Sequence, residues 1–209
     1  MGDPCADRRG GVETVLRTSV ATLYSNLVTR PTGEAVRVAI ERQIQEMRGT
    51  TLSILDFSRI GVIDFSCADE VVAKLLKKYS RVDRPADAFF VAHGVCEHHR
   101  EPIEAVLERH RLLLVVIENG KPGLWGRAPA RLRQAWHVLQ QMGQAASVDF
   151  ASVQGVEPPT AAAWLRRLAT ERVAISEDGE RFACLPMFLD AVRTRPEEAV
   201  LGAMGTGPL

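Results

Sequence analysis

Several common features are scarce or missing in this sequence, and each absence excludes something. No apolar run approaches the roughly 18 residues that a membrane-spanning helix needs; Leu112-Leu-Leu-Val-Val-Ile117 is typical of the longest. No sign of charge dominates, since 26 lysines and arginines balance 26 aspartates and glutamates. Any nucleic acid or anionic lipid would therefore have to be drawn by a local patch. Cysteine is sparse: Cys5, Cys67, Cys96 and Cys184 are scattered with no CxxC pair, which suits free thiols better than a disulfide frame. The opening MGDPCADRRGG lacks the apolar core of a secretory signal. There is no repeat, no nucleophile elbow, no phosphate-cradling glycine loop and no zinc-hydrolase motif. The expectation is a cytoplasmic, non-enzymatic protein with no membrane partner and no cofactor or metal.

What is present is ordinary for a folded chain. Of 209 residues, 46% are apolar and 25% charged, and that length allows one large domain or two small ones. Asn119-Gly-Lys-Pro-Gly-Leu-Trp-Gly126 crowds glycine and proline into a short stretch, which reads as a linker near residues 120–128. The expected division is an extension or leading strands over 1–24, an α/β domain over 25–120, a second domain over 128–195 and a tail over 196–209.

In the first part, Val36, Ile40, Ile44 and Met47 mark one face of a helix over 33–48. Residues 51–57, 88–92 and 112–117 read as strands, and 66–79 and 101–110 as helices, with Ser66 capping the first and Pro102 in the first turn of the second. Alternating strands and helices with short links predict a mixed α/β sheet covered by helices. Residues 12–23 read equally as a helix or as leading strands. In the second part, helices over 130–142, 147–153 and 160–172 precede a hairpin over 173–185 that turns at Asp178-Gly179, and a last helix is expected over 187–193. That order is winged-helix-like.

Ile54-Leu-Asp-Phe-Ser-Arg-Ile-Gly-Val-Ile-Asp-Phe-Ser-Cys-Ala-Asp-Glu70 resembles the signature of STAS domains, the sulfate-transporter and anti-sigma-factor-antagonist modules. Together with Leu27-Val-Thr-Arg-Pro-Thr-Gly-Glu34 it is similar to a STAS-like subgroup of unassigned function. The resemblance covers roughly residues 25–117. It implies a partner such as a histidine-kinase-like ATPase or an anti-sigma-type protein, docked on the loop 59–65 and the helix after it. There the family carries a phosphorylated serine directly after the second aspartate; this chain carries Phe65 after Asp64, which cannot accept phosphate. Ser66 matches the second serine, and the reading preferred for it is a helix cap rather than a switch.

The partner-binding candidates are therefore Asp64, Phe65, Ser66, Asp69, Lys74, Lys77 and Lys78. Arg30 is a candidate anion ligand before a helix start, with a carboxylate of its own domain as the favoured alternative. His93, Cys96, His98 and His99, with His110 further on, match no zinc-ligand spacing, and they read as a loop with solvent-facing histidines. Asp56, Asp64, Asp69 and Glu70 have no histidine or serine placed as a catalytic partner in sequence. In the second part, Thr160, Arg166, Arg167, Arg172 and Arg181 are candidate DNA contacts, and Trp164 is expected in the core. Nine arginines against seven carboxylates over 127–195 make a thin footprint for DNA. Two functions are expected to compete: a transcription-linked regulator with a winged-helix output, and an assembly subunit whose winged helix contacts protein.

Overall fold

The computed structural model describes residues 11–22, 24–176 and 178–189. β1 (Thr14–Ser19), β3 (Thr51–Asp56), β5 (Ala88–His93), β6 (Leu114–Glu118) and β7 (Lys121–Trp125) form one mixed sheet, in the order β1-β3-β5-β6-β7. The first four are mutually parallel and β7 is antiparallel to β6. The leading segment is thus an edge strand, paired parallel to β3. A separate two-residue ribbon pairs β2 (Asn26–Leu27) with β4 (Val62–Ile63).

Each parallel link needs a crossover, and each crossover is a helix. α1 (Arg30–Glu46) begins where the Thr29 hydroxyl accepts from the Thr32 N–H, with Pro31 in its first turn. α2 (Phe65–Ala68) continues through a π-helical turn over Asp69–Lys74 into α3 (Leu75–Ser80). Its N-cap is Asp64, whose carboxylate accepts from the Cys67 N–H at 2.8 Å. Ser66 therefore does not cap; it lies inside the first turn and donates its hydroxyl to Asp64. α4 (Glu97–His110) starts four residues earlier than the sequence pattern implies, so Pro102 sits inside the helix rather than in its first turn.

Strand alternation sends one set of side chains to each face of the sheet. Leu55, Phe90, Ala92, Leu114 and Val116 pack against α1, α2–α3 and α4. Leu52, Phe89, Val91, Val115 and Leu124 face the opposite way, and the rest of the chain covers them. That covering half comprises α5 (Ala130–Met142), β8 (Gln144–Ala146), α6 (Ser147–Gln154), α7 (Pro158–Thr170), β9 (Ala174–Ile175) and β10 (Arg181–Cys184). β10 lies between β8 and β9, antiparallel to both. Trp136 is its central anchor, fully buried and donating its indole N–H to the Val173 carbonyl.

The glycine- and proline-rich stretch is a correction to the expected linker. Asn119 and Gly120 both adopt positive φ, +50° and +75°, and turn the chain back so that β7 joins the sheet. This is the two-residue hairpin chemistry in which Asn-Gly excels. Arg133 of α5 then donates to the carbonyls of Leu124 and Gly126, tying the second half to the end of β7. The expected last helix reduces to a 3₁₀ turn over Leu185–Phe188; residues 190–193 of that expectation and the 196–209 tail lie outside the described residues. No helix among the described residues is long and apolar enough to cross a membrane.

Candidate functional site

The carboxyl ends of β1, β3 and β5 and the helices that follow them converge on one edge, which in open α/β sheets is where ligands and partners bind. The candidate surface is built on the ribbon there. Val62 of β4 is half exposed, and so is Phe65, the first residue of α2. Tyr24 and Val28, on either side of β2, are also half exposed. Their neighbours Leu27 and Ile63 are buried and anchor the ribbon. The Leu27 carbonyl accepts from the Asp64 N–H, which fixes α2 to the ribbon. Exposed apolar residues gathered this way mark interaction surfaces more often than chance placement does.

Behind this surface the expected charged candidates are tied up internally. Glu70, buried in the π-helical turn, accepts from Arg30, Arg37 and Lys74. Burial alone would raise its pKa, but these cations hold it below the ordinary carboxylate range. Arg30 also donates to Asp69 at 3.1 Å, and the His110 ring bonds the same carboxylate at 2.7 Å. Arg30 is thus a brace between α1 and the π-helical turn, not an open anion site. Asp69 serves that brace. Lys78 donates to Glu41 across the groove to α1, and of the three lysines proposed as contacts only Lys77 is exposed with no pairing described. Cys67 is buried and donates to the Thr29 carbonyl, and desolvation followed by the Asp64 charge pushes its thiol up to about 11.

Two clusters were not expected as sites from the sequence. Asp56 and His93 are cross-strand partners, and Arg17 joins them from β1. Arg17 Nε donates to Asp56 at 2.8 Å, and the His93 ring lies 3.5 Å from the same carboxylate. Desolvation would raise the Asp56 pKa, yet the hydroxyl and backbone N–H of Ser58 and the Arg17 guanidinium lower it to about 2. Arg17 and His93 open on a cleft of about 350 Å³ lined also by Ile54, by Gln140 of α5 and by Met187. In the second cluster the solvent-facing reading holds for His98, which is exposed, and fails for His99. His99 is fully buried, and Cys96, His98 and His99 bring potential metal-ligand atoms within 4.8 Å of one another. His93 and His110 lie elsewhere, on Asp56 and Asp69.

On α7, Thr160, Arg166 and Arg167 are exposed, but Arg167 pairs with Glu171. Arg172 faces inward, donating to Asp87 and to the Ala88 carbonyl. It is removed from the DNA candidates. Arg181 is exposed where the hairpin turn enters β10, next to Asp178 and Glu180. Trp164 is only partly buried, at the edge of the second core, and lines a groove with Arg131, Gln134 and Thr160. Of the candidate contacts, Thr160, Arg166, Arg167 and Arg181 remain on one half, and Phe65 with Lys77 on the other. Compared with protein-family models and with curated proteins, the chain matches none.

Proposed function

We propose that the protein is a non-enzymatic cytoplasmic regulator, in which a STAS-like half receives a protein partner and a winged-helix-like half carries the output. The observation that carries this reading is Phe65. It stands where the resembling family places its phosphoacceptor serine, and it is half exposed beside the half-exposed Val62. Docking at that position would then rest on apolar contact and not on a phosphate. Ser66 supports this, because its hydroxyl is engaged by both oxygens of Asp64, and a phosphate there would meet that carboxylate. By the same resemblance the partner is a histidine-kinase-like ATPase or an anti-sigma-type protein.

The winged-helix part of the proposal rests on element order. What supports it is the sequence of one helix, a short strand, two helices and an antiparallel hairpin whose second strand lies between the other two strands. The second reading, an assembly subunit that uses this half for protein contact, is favoured by the acidic hairpin tip and by the inward turn of Arg172. Titration of mixed duplexes at low salt separates the two. Binding that falls steeply with salt and with Arg166→Ala/Arg167→Ala supports a DNA output. No binding at low salt, where electrostatics is strongest, leaves the assembly reading. The partner-binding half is tested by affinity capture with wild type and Phe65→Asp. A partner retained by the first and lost by the second supports it, and equal retention overturns it.

A further inference from the structure

We propose that Cys96, His98 and His99 form a binding site for a zinc-class divalent cation, with one thiolate and two imidazoles as ligands and a fourth position open. The three residues lie at the start of α4, against the loop that leads into β4. Cys96 Sγ is 3.3 Å from His98 Nε2 and 3.1 Å from His99 Nδ1. A tetrahedral zinc with its usual bond lengths separates sulfur from nitrogen by roughly 3.6 Å. The cluster therefore needs to open by only a few tenths of an ångström to admit the ion. The two imidazoles meet edge to face, with ring centroids 4.3 Å apart.

The ligand set is held in place by its surroundings. His99 is fully buried, packed near Phe57, and its Nδ1 accepts a long, 3.3 Å contact from the Cys96 backbone N–H. Nδ1 has a single lone pair, so ligation there exchanges this weak contact for the metal bond; Cys96 Sγ lies 3.4 Å from Nε2 of the same ring as well. His98 Nε2 lies 2.8 Å from the Gly61 carbonyl, so ligation through this nitrogen exchanges that hydrogen bond for the metal bond. Sulfur with imidazole selects zinc and its soft or borderline neighbours over magnesium or calcium. Cys96 and His98 are exposed while His99 is buried, so the ion would sit at the surface with its open position toward solvent. Three protein ligands and one open position characterise accessible zinc sites, in contrast with closed structural ones.

The test is a cobalt(II) titration of the full chain under reducing conditions, followed by zinc displacement. The expected result is one equivalent of cobalt with a thiolate-to-metal charge-transfer band and the strong visible bands of tetrahedral coordination. Cys96→Ser should abolish the charge-transfer band. His98→Ala, a change at an exposed residue, should weaken zinc binding by at least about tenfold. His137→Ala, an exposed histidine on α5, should leave both unchanged. The proposal is overturned if wild type shows no charge-transfer band, if Cys96→Ser retains it, or if His137→Ala weakens binding as much as His98→Ala.

Discussion

Arg172 lays its guanidinium 3.5 Å from the centroid of the Phe89 ring, so the turn that follows α7 is clamped onto the back of the sheet. The residue takes a left-handed φ of +61° to reach there, and it also donates to Asp87 and to the Ala88 carbonyl. A single side chain thus joins the two halves by stacking, charge and backbone hydrogen bonding. A desolvated cation–π contact contributes about 2 kcal/mol, and a charge-assisted hydrogen bond about 1.5–3 kcal/mol. Arg172→Ala is expected to lower the unfolding free energy by about 2–4 kcal/mol. Chemical denaturation checks this, and a loss below about 0.5 kcal/mol would mean that the clamp is ornamental.

Gly33 makes a second prediction. A Cβ at this position would stand 2.9 Å from the Cys67 Cα and 3.1 Å from the Glu70 Cβ. Its φ is ordinary for a helix, so only the close approach of α1 to α2 requires glycine. Gly33→Ala should destabilise by about 1–3 kcal/mol despite the better helix propensity of alanine. Glycines that meet nothing, such as Gly155, make no such demand on space.

Helix capping gives a third. The cap belongs to Asp64, so Asp64→Ala should cost about 1–2 kcal/mol, while Ser66→Ala should cost less because its hydroxyl only supports that carboxylate. Thermal unfolding of the two variants would settle the order, and a larger loss at Ser66 would contradict the assignment.

The fourth concerns acid. Asp56 has a folded pKa of about 2 against an ordinary 3.8. A depressed carboxyl pKa contributes stability that is present above the unfolded value and disappears as pH falls through the folded one. Denaturation midpoints of wild type and Asp56→Asn should therefore differ above pH of about 4 and converge as pH falls toward about 2. A difference independent of pH would show that Asp56 contributes shape and not charge.

The sequence carried the alternation of strands and helices in the first half and the helix order in the second, because the apolar periods there are unambiguous. It misled where one residue type serves two purposes. Asn119-Gly120 with Pro122 and Gly123 reads as a linker, yet the dipeptide is a hairpin turn and the prolines and glycines tolerate an edge strand. Pro102 suggests a helix start and instead lies inside α4. Trp164 follows the apolar period of α7 but sits at the rim of the core, while Trp136 occupies its centre. At the candidate site, Asp64, Phe65 and Lys77 were visible in the motif. Val62 falls inside the docking loop 59–65 that the resemblance implies, whereas Arg17 and the inward turn of His99 were not visible. Register between β1, β3 and β5 brings Arg17 to Asp56, and the packing of α4 on the Gly61 loop turns His99 inward. Neither is written in any local spacing.

The central claim is that a protein partner docks on the ribbon face around Val62 and Phe65. It is tested most directly by placing a photocrosslinking residue in the full-length protein in its native cells, at position 65 and, separately, at position 160 on α7. The account predicts a discrete protein adduct from position 65 that disappears when Val62→Asp is added. Apolar hot-spot residues of this kind carry about 2 kcal/mol or more of binding. An adduct from position 160 with none from position 65, or one from position 65 that persists with Val62→Asp, would contradict it.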